Sequence, residues 1–145
     1  MNILDLMEKD HEKIKMLLEQ IQENLNNKSK RNELLSQIKQ ELLTHNKTEE
    51  SLVYKELEKR GNMILAIKSQ EEHKLAEKYL ETIKEDLHEA PFLARVEVLK
   101  NIISSHIDEE EDDTFEKLKE EFSEEDLNNL GQKFQDEKDR LNKEK

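Results

Sequence analysis

Apolar residues recur along the chain at steps of three and four, the spacing of one face of an α-helix. The pattern defines four long segments, at about residues 3–26, 30–60, 63–88 and 91–121. A shorter fifth segment follows, at about residues 123–141. Because the connections are short, neighbouring helices are expected to pack antiparallel. We therefore predict one all-α domain over residues 1–145, an up-down-up-down four-helix bundle (about 3–121) with a short additional C-terminal helix.

Residues with known capping preferences support these boundaries. Asn2 and Ser29 are candidate N-caps of the first two helices, and Ser123, followed by acidic residues, is a candidate N-cap of the fifth. Gly61 is placed to end the second helix as a C-cap glycine. Pro91 suits the first turn of the fourth helix, where a missing N–H group costs nothing.

Histidine interrupts the apolar faces of all four long segments. Four of the five histidines take part, and three of these four are followed by glutamate at the fourth position. Side chains four residues apart lie on one face of a helix, about 6 Å apart. The candidate ligands are His11, His45, Glu49, His73, Glu77, His106 and Glu110.

These seven side chains are predicted to meet in the bundle interior. Counted from one end of an antiparallel bundle, they fall into two layers about 6 Å apart. Buried imidazoles and carboxylates without a metal would cost several kcal/mol. Imidazole with carboxylate and no sulfur suits Fe, Mn or Zn, and carboxylates can bridge two ions. The pattern therefore predicts a metal site in the core.

Composition and charge narrow the remaining classes of function. The net charge of −12 disfavours nucleic acid and anionic membranes as partners. The chain has no cysteine, which excludes disulfides, thiolate ligands and cysteine-bound iron–sulfur clusters. No apolar run is as long as a membrane span, and the first residues do not have the pattern of a signal peptide. A cytoplasmic location is therefore expected.

At six of the candidate ligands the sequence resembles the hemerythrin family, including its HHE cation-binding domains. These six residues are His11, His45, Glu49, His73, His106 and Glu110. The resemblance implies two iron ions joined by an oxo or hydroxo group. By the same resemblance, the first two histidines bind one iron, the last two bind the other, and the two glutamates bridge them. Some members of the family bind O2, and others act on nitric oxide or peroxide or sense iron.

Glu77 departs from the pattern of the oxygen-carrying hemerythrins, which have histidine at that place. A third carboxylate facing the iron ions would favour the ferric state and lower the reduction potential. We therefore expect sensing or redox turnover rather than O2 transport. Glu111 and Asp113 are also near the expected bridging acid, but Glu110 keeps the spacing of four residues. The rest of the acidic run 108–113 is expected to be a solvated face.

Three hypotheses for function follow. In the first, the chain is a non-haem di-iron protein that binds O2, nitric oxide or peroxide for sensing, storage or detoxification. In the second, the same centre performs redox chemistry, such as turnover of peroxide or nitric oxide or iron donation for iron–sulfur repair. In the third, the metal, for example Zn, is structural. The residues alone do not identify an electron donor.

Overall fold

A computed structural model describes residues 1–144, and Lys145 of the predicted domain lies outside the described residues. Seven α-helices follow one another: α1 (Ile3–Glu23), α2 (Lys28–Glu49), α3 (Lys55–Lys59), α4 (Met63–Glu81), α5 (Glu89–Glu109), α6 (Phe115–Glu121) and α7 (Glu124–Lys143). Two π-helical segments, Glu50–Tyr54 and Glu110–Thr114, join α2 to α3 and α5 to α6. Over residues 1–144 there is no β-strand, which confirms the all-α prediction. None of the helices described is long and apolar enough to cross a membrane.

Most helix ends lie where the capping residues predicted them. The side chains of Asn2 and Ser123 accept hydrogen bonds from backbone N–H groups in the first turns of α1 and α7. Gly61 ends α3 with φ of 89°, a conformation that suits glycine. The prediction for Ser29 is wrong, because Asn27 caps α2 with its side-chain oxygen.

The third helix ends earlier than predicted, at Glu81 rather than near residue 88. Ile83 and Leu87 keep an apolar spacing that imitates a helix, yet both lie in the loop and pack against the core. The buried guanidinium of Arg31 donates a hydrogen bond of 3.1 Å to the carbonyl oxygen of Leu87, so a side chain satisfies this loop backbone. His88 is consequently the exposed N-cap residue of α5.

Two apolar clusters fill the interior. One cluster contains Ile14, Leu17, Leu18, Ile21, Leu34, Leu35, Ile38, Leu42, Ala76, Leu80, Ile83, Phe92, Val96, Leu99, Ile103 and Ile107. The other contains Ile3, Leu4, Met7, Val53, Tyr54, Leu57, Ala66, Phe115, Leu118, Phe122, Leu127, Leu130 and Phe134. The chain passes from the second cluster to the first along α1 and along α4. It returns to the second cluster along α2 with α3 and along α5 with α6. This alternation favours the predicted up-down-up-down order.

The π-helical segment Glu50–Tyr54 shifts the buried face of the chain by one residue. The apolar period of α2 predicts that Leu52 continues the core face, but Leu52 is only half-buried. Val53 and Tyr54 are buried instead. In a π-helix residues five apart come to the same face, so the segment that begins at Glu50 aligns Tyr54 with Glu49.

Candidate metal centre

Four histidines, one from each of α1, α2, α4 and α5, meet between the two apolar clusters. His11, His45 and His73 are each at most 3 % exposed, and the side chain of His106 is 12 % exposed. The ring centroids of His11 and His45 are 5.1 Å apart, and those of His73 and His106 are 4.7 Å apart. The Nε2 atoms of His73 and His106 are separated by 3.1 Å. The four predicted histidines therefore form two close pairs.

Glu49 offers one carboxylate oxygen to each histidine pair. Its Oε2 lies 3.2 Å from Nε2 of His45, and its Oε1 lies 3.0 Å from Nε2 of His73. The side chain is fully buried. Within residues 1–144, Oε2 has no partner in a well-directed hydrogen bond. A buried carboxyl oxygen without a hydrogen-bond partner is costly unless a cation satisfies it.

Glu110 repeats this arrangement from the opposite side. Its Oε1 lies 3.0 Å from Nε2 of His11, and its Oε2 lies 3.4 Å from Nε2 of His106. Burial alone would raise the pKa of the Glu110 carboxyl. Hydrogen bonding with Glu49, His106 and His11 outweighs burial and lowers the pKa well below 4.5. Glu110 therefore stays anionic in the core.

Two overlapping groups of ligand atoms result, each with all its atoms within 4.8 Å of one another. The first group is His11, His45, Glu49 and Glu110. The second is Glu49, His73, His106 and Glu110. The two glutamates belong to both groups. Four imidazole nitrogens and four carboxylate oxygens fit two metal ions that share the two carboxylates.

A second carboxylate supports each histidine at its other ring nitrogen, Nδ1. The four pairs are Asp10–His45 at 2.8 Å, Glu50–His73 at 2.9 Å, Glu72–His106 at 2.7 Å and Glu111–His11 at 2.7 Å. Each of these carboxylates is the sequence neighbour of one candidate ligand but contacts the histidine of a different helix. Such partners fix the ring orientation and tautomer of a metal-binding histidine, leaving Nε2 free to bind the ion.

Without metal, the carboxylates favour the protonated form of three histidines. Burial alone would lower the pKa of His106, but Glu110, Glu49 and Glu72 raise it to about 9. In the same way Glu49 and Asp10 outweigh burial and raise the pKa of His45 well above 6.5. Glu49 and Glu50 likewise raise the pKa of His73. Protons therefore occupy part of the place that a cation would take.

Tyr54 is a third kind of group at this site, which the sequence analysis did not predict. Its buried hydroxyl donates to Glu110 Oε2 at 2.6 Å and lies 2.8 Å from Glu49 Oε1 and 3.1 Å from His73 Nε2. Burial and the charges of Glu110 and Glu49 raise the pKa of Tyr54 well above 10. A spacing of five residues from Glu49 is not a helical spacing, so only the π-helical segment reveals this contact.

Glu77 lies outside both groups of ligand atoms. Its half-buried carboxylate accepts a hydrogen bond of 2.9 Å from the side-chain amide of Asn46. Of the other acids considered, Asp113 is exposed, as expected. Glu111 is half-buried against His11, so the prediction of a solvated face is wrong at this residue.

A small cavity of about 20 Å³ lies beside the four histidines. Its apolar lining consists of Ile14, Leu42, Ala76, Ile103 and Ile107, and Asn46 and Glu72 are the polar residues that line it besides the histidines. A volume of this size accommodates about one water-sized molecule. The cavity therefore has room for a very small molecule only.

Most of the chain matches the model of a known protein family. The family model described as the hemerythrin HHE cation-binding domain matches residues 2–118. This range contains all the candidate ligands and their carboxylate partners, whereas α7 lies beyond it. No curated protein and no solved structure matches the chain.

Proposed function

Because the chain belongs to the hemerythrin HHE cation-binding family, we propose that it is a di-iron protein that binds O2, nitric oxide or peroxide. One observation carries the proposal: each of two buried carboxylates offers one oxygen to each of two histidine pairs. Two iron ions in these positions would supply reversible one-electron redox chemistry and binding of a small ligand.

The donor set supports two ions of iron rather than one structural Zn. Structural Zn sites are closed, with four ligands and often with sulfur. Here six side chains offer four nitrogens and four oxygens, and the chain has no cysteine. Imidazole with carboxylate is the usual ligand combination of non-haem iron.

The cavity supports the proposed size of the ligand. Its lining consists of the four histidines and mainly aliphatic side chains. An apolar lining favours a small neutral molecule such as O2 or nitric oxide. Asn46 adds one buried amide to this lining, although its N–H group already donates to Glu77.

Tyr54 favours redox turnover as a second candidate function at the same centre. Its hydroxyl is directed at Glu110 and Glu49, and its raised pKa keeps the proton on the oxygen at neutral pH. Reduction of peroxide or O2 consumes protons, and this O–H group holds a proton at hydrogen-bond distance from two candidate ligands.

Visible absorption spectra of the iron-loaded protein test both candidates. The protein is reduced without air and then exposed separately to O2, nitric oxide and hydrogen peroxide. The proposal predicts new visible charge-transfer bands with at least one of the three. A band that disappears when O2 is removed indicates binding, and a band that decays while peroxide is consumed indicates turnover. A protein that takes up only Zn, or whose iron spectrum none of the three changes, contradicts the proposal.

A further inference from the structure

Two successive contacts connect the C-terminal helix α7 to the candidate metal centre. Lys138 donates a hydrogen bond to Oδ1 of Asp10. The other carboxylate oxygen of Asp10, Oδ2, lies 2.8 Å from Nδ1 of His45. Asp10 is thus held from both sides, by a lysine of α7 and by a candidate ligand of α2.

Residues on one face of α7 allow this helix to pack closely against α1 and against His45. Gly131, Phe134 and Lys138 lie three and four residues apart, so they share a face of the helix. A Cβ atom at Gly131 would lie 2.5 Å from the backbone oxygen of Met1, so glycine allows α7 to approach the start of α1 closely. Phe134 is fully buried and its ring meets that of His45 edge-on, with centroids 6.2 Å apart.

Asp10 differs from the other three carboxylates that support the histidines. The side chains of Glu50, Glu72 and Glu111 are 38 %, 27 % and 34 % exposed, so water can solvate their charges. The side chain of Asp10 is 8 % exposed, and that of Lys138 is 16 % exposed. Water cannot replace Lys138 as effectively at this buried carboxylate.

We propose that Lys138 is a positioning residue of the metal centre, which holds Asp10 on His45 and so strengthens metal binding at the position of His11 and His45. The inference rests on the proposed function, because it concerns the same two ions. It also makes α7 part of the centre, although the family match ends at residue 118.

The physical reason is the cost of a buried charge without a partner. When an ion occupies Nε2 of His45, the imidazole is neutral, and Lys138 is then the cation that balances Asp10. Without Lys138, the Asp10 carboxylate must turn toward the groove between α1 and α7, where water is available. His45 then loses the contact that fixes its ring, and its affinity for the ion falls.

Variants of residues 138 and 10, together with one control, test the proposal in the whole chain. Lys138→Met removes the charge and keeps most of the length of the side chain. Lys138→Arg keeps the charge and serves as the conservative variant, and Lys133→Met removes an exposed lysine of the same helix as a matched control. The affinities for the two ferrous ions are measured without air by competition with a chelator.

Loss of an outer-shell partner costs metal affinity on the order of 10- to 100-fold. We expect Asp10→Asn to weaken the binding of one ion by such a factor and Lys138→Met to weaken the same ion by a smaller factor. Lys138→Arg and Lys133→Met should bind both ions as the unchanged protein does.

A double-mutant cycle separates positioning from a general structural role. If Lys138 acts through Asp10, Lys138→Met has little further effect on metal affinity once Asp10→Asn is present. If Lys138→Met weakens metal binding equally in both backgrounds, or not at all, the proposal is overturned. Failure of the unchanged protein to bind a second ion would overturn the proposed function and this inference with it. Two-ion binding that is insensitive to Lys138→Met overturns this inference alone.

Discussion

The carboxylate of Glu72 lies 2.7 Å from Nδ1 of His106 on α5, although Glu72 itself precedes a different ligand on α4. The same crossing occurs at each of the other three supporting carboxylates. The contacts run from α1 to α2, from the π segment after α2 to α4, from α4 to α5, and from the π segment after α5 back to α1. This closed cycle couples the orientation of every histidine to the packing of a neighbouring helix.

Substitution of Glu72 should weaken the centre without removing a ligand. Glu72→Gln keeps the shape of the side chain but removes the charge that supports the ring of His106. We expect metal affinity to fall on the order of 10- to 100-fold, as measured by chelator competition. Glu71→Gln, an exposed neighbour on α4, is the control. Equal affinities of the two variants would show that the contact does not support metal binding.

The stability of the metal-free protein should decrease as the pH rises from about 6.5 to about 9. His106 has a pKa of about 9 in the folded chain and an ordinary value of 6.5. A histidine whose pKa is raised by folding stabilises the folded state below its unfolded pKa, and this contribution is lost as the pH rises through its folded pKa. His45 and His73 shift in the same direction.

Urea unfolding at pH 6, 7.5 and 9 measures this change in the metal-free protein. We expect the free energy of unfolding to fall by an amount on the order of 1–3 kcal/mol. Metal affinity should rise over the same pH range, because ions compete with these protons. A metal-free protein that becomes more stable toward pH 9 would contradict the assignment of protonated histidines.

Removal of the Tyr54 hydroxyl should destabilise the metal-free protein more than the loaded one. Tyr54→Phe leaves oxygens of Glu49 and Glu110 without this donor. An unsatisfied buried acceptor costs about 1–3 kcal/mol, but bound ions would satisfy the same oxygens. Unfolding measurements with and without metal test this expectation, with Tyr79→Phe, at a half-buried tyrosine of α4, as the control. An equal loss of stability in both states would contradict it.

Glu77→Ala should leave the number of bound ions unchanged. The carboxylate of Glu77 is hydrogen-bonded to Asn46 and lies outside both groups of ligand atoms. Metal analysis of this variant, with Glu81→Ala as an exposed control, measures the effect directly. A loss of one ion or a large fall in affinity would support Glu77 as a ligand, as the spacing from His73 predicts.

The sequence predicts the helices and the meeting of the histidines because both follow from helical periodicity. His11 and His45 stand where leucine or isoleucine would continue an apolar face, and such polar interruptions are visible without a structure. Helix ends are predicted well where one residue decides them, as at Gly61. The end of α4 is not predicted well. The reason is that Arg31, distant in sequence, donates a hydrogen bond to the backbone of the loop that follows α4.

The contacts of Tyr54 and of the supporting carboxylates could not be predicted in this way. Tyr54 reaches the centre only because a π-helical segment begins directly after Glu49. Glu111 belongs to an acidic run that resembles an ordinary solvated surface, and its contact with His11 depends on the packing of two helices. Lys138 acts through a helix whose position relative to α1 is set by tertiary packing.

The central claim is that two ions share the carboxylates of Glu49 and Glu110. Titration of the metal-free protein with ferrous iron, together with analysis of the bound metal, tests it most directly. We predict two ions per chain for the unchanged protein and for Glu56→Ala, a control on α3. Glu49→Ala should fail to hold both ions, because each ion loses one ligand oxygen. Retention of both ions at full affinity by Glu49→Ala would contradict the claim.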